Sequence, residues 1–184
     1  MHSNPPSRSH RHFRAGFTLV ELLIVMAIIG ILVSLLAPQL GSIRERAERA
    51  KCAANLRNLA AAVQSYTVEN DNRFPMVETN PSNPVYSADV GAKPILEVLG
   101  EYGVTPDSLK CPSDVRKQNW FKKTGSSYEW RPLLDGELVS APVIYTRRGE
   151  RFPPLSKIRL VMDFEKVHGG RANLLFADGT VKMN

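Results

Sequence analysis

From Phe17 to Ala37 the chain reads FTLVELLIVMAIIGILVSLLA, 21 residues with a single charge at Glu21. As a helix rising about 1.5 Å per residue, this run is roughly 31 Å long, enough to cross a hydrocarbon core. The pattern changes beyond Pro38. Cys52, Leu56, Leu59, Val63 and Tyr66 recur at spacings of four, three, four and three, which places them on one helix face. Ala50, Ala53, Ala54, Ala60, Ala61 and Ala62 favour helix between them. Turn residues then collect at Glu69-Asn70-Asp71-Asn72, ahead of Phe74-Pro75, and the helix should stop there. The pattern predicts one long helix over about residues 18–69, with an apolar first half and an amphipathic second half.

The remainder alternates loops and short elements. Residues 75–91 hold Pro75, Pro81 and Pro84 among several Ser and Asn and read as loop; residues 93–102 suggest a short helix with Pro94 near its first turn. Cys111-Pro112-Ser113-Asp114 reads as a turn. Residues 126–131 and 138–146, notably Val143-Ile144-Tyr145-Thr146, are strand-like. From Ile158 to Glu165, Ile158, Leu160, Met162 and Phe164 alternate with Arg159, Val161, Asp163 and Glu165, predicting a half-buried strand with the first set inward. Asn173 to Met183 reads strand, Asp178-Gly179, strand, the signal of a hairpin with a type I′ turn. The expected fold is α+β: a long N-terminal helix packed on a small antiparallel sheet.

Composition adds limits. Hydrophobic residues make up 43% and charged residues 23%, which excludes bulk disorder. The net charge is +6, but Arg8, Arg11 and Arg14 sit in residues 1–16 without an acid, leaving 21 basic against 18 acidic residues elsewhere. That mild excess, with no basic tract beyond the N-terminal third, does not suggest a nucleic-acid partner. Two cysteines without a Cys-x-x-Cys, and only one His (His168) beyond the N-terminal segment, argue against a structural zinc site. There is no Gly-x-Ser-x-Gly, no Walker-type loop and no dinucleotide fingerprint, so no catalytic residue is assigned and the chain reads as a non-enzyme.

Glu21 remains to be explained. A secretory signal has an apolar core of about 7–15 residues and no acid. A plain anchor fits the length, but an unpaired carboxylate near the bilayer centre costs about 3 kcal/mol. The acid therefore needs a partner. Arg14-Ala15-Gly16-Phe17-Thr18-Leu19-Val20-Glu21 resembles the prepilin-type cleavage and methylation signal of type IV pilins and of type II secretion pseudopilins. A basic leader ends in Gly, Phe opens the apolar run, and Glu is the fifth residue after Gly. Pro38 is similar to a helix-kinking proline found there in pilins.

The resemblance implies cleavage after Gly16 by a prepilin peptidase and N-methyltransferase, methylation of the new Phe17 amino group, and a pilin-like fold. It also supplies the partner: in a filament, Glu21 of one subunit faces the Phe17 ammonium of its neighbour. The implied segments are a leader (1–16), a transmembrane half-helix (17–37), an amphipathic stalk (38–72) and a globular body (73–184). Other copies or related pseudopilins and an inner-membrane assembly platform would be partners. The N-terminus would be cytoplasmic and the body periplasmic. Positive-inside counting opposes this, with Arg44, Arg46, Arg49, Lys51 and Arg57 closely following the span.

A second resemblance is C-terminal. His168, nine residues, then Asp178-Gly179 resembles the signature of a large group of pilin-like proteins, of which Lys51-Cys52-Ala53-Ala54-Asn55-Leu56 and Leu109-Lys110-Cys111-Pro112-Ser113-Asp114 also look typical. Asp163, His168, Asp178 and Gly179 are read as a structural lock, with a calcium site as the other reading and no other cofactor expected. Cys52 and Cys111 are either a disulfide, which a periplasmic body would permit, or two buried thiols. The function expected is a filament subunit that polymerises and pushes. The alternative is a minor pilin gripping a substrate or surface with Trp120, Phe121, Tyr128 and Trp130.

Overall fold

The computed structural model describes residues 17–78, 91–164 and 167–183. The leader with Gly16, most of the loop expected over 75–91, and Glu165 lie outside the described residues. The chain divides into two compact units, residues 1–42 and 43–184. Helix α1 (Leu19–Glu69) begins in the first and continues in the second.

In the first unit, the large apolar side chains described from Phe17 to Leu40 are at least 43% exposed, on all sides of the helix. A helix apolar all round needs lipid or partner chains around it. No single described helix is long and apolar enough to cross a membrane, but Leu19–Leu35 and Leu40–Glu69 meet the requirement together.

The second unit is built on the amphipathic half of α1. Cys52, Leu56, Leu59 and Val63 are all at most 4% exposed, as their spacing demands, and Tyr66 packs against them partly buried. After Glu69 the chain leaves the helix with Asp71 and Asn72 at φ near +55°, a left-handed conformation that short polar side chains tolerate. Facing the stripe is a four-stranded antiparallel sheet of β1 (Tyr128–Trp130), β4 (Arg159–Asp163), β5 (Asn173–Phe176) and β6 (Val181–Met183), in that order. Trp130, Leu160, Val161 and Leu175 join the α1 residues in one core. A separate hairpin, β2 (Ile144–Thr146) with β3 (Gly149–Arg151), is exposed apart from half-buried Ile144. Short helices α2 (Ile95–Leu99), α3 (Pro112–Lys117) and α4 (Trp120–Thr124) fill the connection between α1 and β1. The result is α+β, a long N-terminal helix packed on a small antiparallel sheet.

Three local expectations need correction. Cys111-Pro112-Ser113-Asp114 is the start of α3 rather than a turn, with Cys111 as N-cap and Pro112 in the first turn, where its missing N–H costs nothing. In β4 the pairing with β5 shifts between Arg159 and Val161, and this bulge changes which side chains face inward. Val161 and Asp163 are fully buried while Met162 is only half-buried, contrary to the alternation read from sequence. The turn at Asp178-Gly179 is not type I′: Gly179 N–H donates to Phe176 O at 2.9 Å and Phe176 N–H to Thr180 O at 2.8 Å, enclosing a three-residue loop. Only Gly179 has positive φ (85°), the pattern of a turn closed by a glycine bulge. The two-residue turn with both central residues at positive φ is Gly169-Gly170 (φ 61° and 83°), closed by reciprocal bonds between His168 and Arg171.

Candidate functional site

Two groups of residues stand out. The first is the start of α1. Thr18 Oγ1 accepts from the Glu21 backbone N–H at 3.2 Å, while Glu21 Oε2 accepts from Thr18 N–H at 2.9 Å and from its hydroxyl at 2.8 Å. This is a capping box, in which side chains at the helix N-terminus satisfy backbone donors that have no intrahelical partner. Its signature in the sequence is Thr18-x-x-Glu21. Phe17 lies just outside the helix and is 77% exposed.

The second group surrounds Cys52 and Cys111, which form a disulfide with their Cα atoms 5.2 Å apart. The bridge ties α1 to the start of α3. The two sequence stretches that contain these cysteines meet here, and Asn55, Ser113 and Asp114 are hydrogen-bonded. Asn55 donates to Lys110 O at 3.0 Å and to the Tyr128 hydroxyl at 3.1 Å. The Cys111 N–H donates to Ser127 Oγ at 3.0 Å, and Ser127 Oγ donates to Asp114 Oδ2 at 2.7 Å. Asp114 also accepts from the Trp120 and Phe121 N–H groups, fixing the start of α4.

His168 is buried against this bridge. Its Nε2 lies 3.6 Å from Cys111 Sγ and 3.4 Å from Asp163 Oδ2. The tight Gly169-Gly170 turn carries the backbone back toward β5, where Asn173 N–H donates to Asp163 Oδ2 at 2.6 Å. Burial pushes the Asp163 carboxyl up to about 7, against the opposing pull of the Asn173 N–H and the Arg49 charge. Burial also lowers His168 to about 4, helped by the charges of Arg49 and Lys117. The pair is therefore not an ordinary ion pair at neutral pH; its imidazole is uncharged. Asp163 Oδ1, His168 Nδ1 and Asn173 Nδ2 are buried without a hydrogen-bond partner.

Asp178 and Gly179 are not brought to His168. They lie at the hairpin tip, past the far end of β5, more than about 10 Å along a strand rising 3.3 Å per residue. There Asp178 Oδ1 accepts from Thr180 N–H at 3.0 Å and from its hydroxyl. One ion cannot take both Asp163 and Asp178. A Cβ on Gly179 would sit 2.9 Å from Gln64 Nε2 on α1, a flexible end that can move, but the backbone would still be held at φ +85°. Gly179→Val should cost about 1–2 kcal/mol and lower the melting temperature; an unchanged melting curve would contradict this.

Glu48, on α1, was missed from the sequence. Its Oε1 accepts from Arg44 at 2.9 Å, and its Oε2 from Ser113 at 2.8 Å and Arg116 at 2.7 Å. Burial opposes the charge, but Arg116, Ser113 and Arg44 outweigh it and hold the carboxyl at about 2. A carboxylate lowered from 4.5 stabilises the fold above that value, and the stabilisation is lost as pH falls through about 2. Glu48→Gln should therefore be less stable than the wild type at neutral pH by roughly 2–3 kcal/mol. The difference should shrink below pH 4.5 and vanish near 2. Melting curves across that range check it, and a pH-independent difference would contradict it. Of the aromatic residues considered for gripping a ligand, Tyr128 and Trp130 are core (3% and 2% exposed). Trp120 is half-buried and stacks on Phe164 at 4.7 Å.

The N-terminal residues match a known family. The prokaryotic N-terminal methylation motif matches residues 11–37. The chain is 40% identical over 63 residues to the type II secretion system core protein G of Pectobacterium carotovorum subsp. carotovorum, covering 34% of this chain and 40% of that protein. It is 36% identical over 81 residues to the protein of the same name from Klebsiella michiganensis, covering 40% of this chain and 56% of that one. The chain thus spans about half the length, or less, of these relatives, which are named as secretion-system core proteins and not as enzymes. No solved structure matches it. The chain carries the prepilin-type N-terminal methylation motif and, over about a third of its length, is similar to type II secretion core protein G.

Proposed function

We propose that this chain is a structural, pseudopilin-like subunit of a filament anchored in the bacterial inner membrane and used in type II secretion. The observation that carries the reading is the match of the methylation motif to residues 11–37, at the head of a helix whose first half exposes its apolar side chains on every side. In this reading residues 1–16 are removed after Gly16, Phe17 is methylated, and residues 17–37 lie in the membrane. The stalk (38–72) and body (73–184) are periplasmic, where an oxidising environment suits the Cys52–Cys111 bridge. The basic residues that oppose this orientation are partly committed to the fold: Arg44 pairs with Glu48, and Arg49 donates to Asn173 Oδ1 at 3.5 Å.

The test is assembly. The chain, expressed in a host with a type II secretion machine and a prepilin peptidase, should enter filaments recovered by shearing. Gly16→Trp should block both processing and filament entry, because a peptidase groove needs close approach to the backbone there. Filaments that incorporate the unprocessed Gly16→Trp chain would contradict the reading.

A further inference from the structure

The surroundings of the Cys52–Cys111 bridge are more than a disulfide requires. Cys52, Cys111 and His168 present three metal-type ligand atoms within 4.8 Å of one another, all buried. Asp163, also fully buried, places Oδ2 3.4 Å from the same imidazole nitrogen that lies 3.6 Å from Cys111 Sγ. Zinc bonds sulfur at about 2.3 Å, nitrogen at about 2.0–2.1 Å and carboxylate oxygen at about 2.0–2.2 Å, in a tetrahedron. The edges of such a tetrahedron are about 3.6 Å from sulfur to nitrogen and about 3.4 Å from nitrogen to oxygen. The Cys111–His168 and His168–Asp163 separations match two of these edges; Asp163 stands outside the group whose ligand atoms all lie within 4.8 Å of one another, so its carboxylate has to swing toward the sulfurs to complete the set.

We propose that, once the Cys52–Cys111 disulfide is reduced, this cluster is a zinc site whose ligands are the two cysteine thiolates, His168 Nε2 and an Asp163 carboxylate oxygen. A dithiol reductant supplies the two electrons and two protons that convert the bridge to two thiols, and closes its own disulfide. The zinc ion then displaces the two thiol protons. Two sulfurs with one nitrogen and a nearby carboxylate oxygen, all buried, favour zinc over calcium or magnesium, which take oxygen. The disulfide joins two parts of the fold, α1 and the start of α3. The zinc ion would join four, adding the end of β4 and the Gly169-Gly170 turn, so the body would stay stapled when the bridge is open. The sequence argued against zinc because its ligands lie far apart along the chain; the fold gathers them. This inference does not depend on the filament reading.

The experiment uses the full chain in detergent, reduced with dithiothreitol, desalted without oxygen and titrated with cobalt(II), then with zinc. His2, His10 and His12 offer competing imidazoles. The readout is therefore sulfur-to-cobalt charge-transfer absorption, with zinc displacing cobalt, rather than total metal. Reduced wild type should bind one cobalt with thiolate absorption and melt higher with zinc than without. The oxidised chain should show neither. His168→Ala and Asp163→Asn should each weaken binding more than about tenfold, the least that losing even an outer partner of a zinc ligand costs. Circular dichroism of each protein with and without zinc distinguishes a lost ligand from a lost fold. Equal binding by reduced wild type and His168→Ala, no thiolate absorption, or a reduced chain that stays unfolded with zinc would each overturn the proposal.

Discussion

Glu21→Ala should insert into the membrane normally and fail to form filaments, and Glu21→Gln should fail equally. The pair of substitutions separates two roles that one residue holds. In the single chain Glu21 closes a capping box with Thr18. Loss of a cap costs about 1 kcal/mol, and glutamine serves at this position as well as glutamate does. In the filament proposed here, Glu21 also faces the Phe17 ammonium of a neighbour. Removing one partner of a buried ion pair costs about 3–5 kcal/mol. Per contact that exceeds a hundredfold in association, far more than the cap supplies. If charge is what matters, glutamine preserves the helix start and still loses assembly. The amount of sheared filament, with membrane-fraction chain as the reference, measures this. Normal filaments from Glu21→Gln would leave Glu21 with a capping role alone.

The second large effect is on the body. Replacing Cys52 and Cys111 together by alanine should lower stability by about 4 kcal/mol, the chain-entropy value for a closed loop of 59 residues. Folded domains have about 5–15 kcal/mol in all, so this is a large share. Alanine is preferred to serine because both sites are fully buried and a hydroxyl there would need a partner. Denaturant unfolding of the double variant against oxidised wild type gives the number. A loss under about 1 kcal/mol would mean that the bridge adds little to what the surrounding packing already supplies.

What could be read from the sequence followed from local periodicity. The stripe from Cys52 to Tyr66 and the stop after Glu69 are set by spacing and turn chemistry within one helix. What could not be read depends on pairing between distant segments. The bulge between Arg159 and Val161 is a property of β4 against β5: Ile158 and Leu160 stay inward, and beyond it Val161 and Asp163, rather than Met162, are the fully buried residues. The turns depend on pairing in the same way. Asp178-Gly179 is a strong dipeptide signal for a two-residue turn, yet the strand register makes it a three-residue loop, while Gly169-Gly170 takes the tight turn. As for the candidate site, His168 and Asp163 do meet and Asp178 does not join them. A signature of fixed spacing need not be one cluster: its two ends lie at opposite ends of β5. No local pattern marks Glu48, because its partners Ser113 and Arg116 are more than sixty residues away along the chain.

The central claim, that the N-terminus is a prepilin signal feeding a filament, is tested most directly by the intact mass of the chain extracted from membranes of a host that has the prepilin peptidase. Removal of sixteen of the 184 residues should leave a chain of 168 beginning at Phe17, heavier by one methyl group on its amino terminus. A chain that retains residues 1–16 in that host would contradict the account.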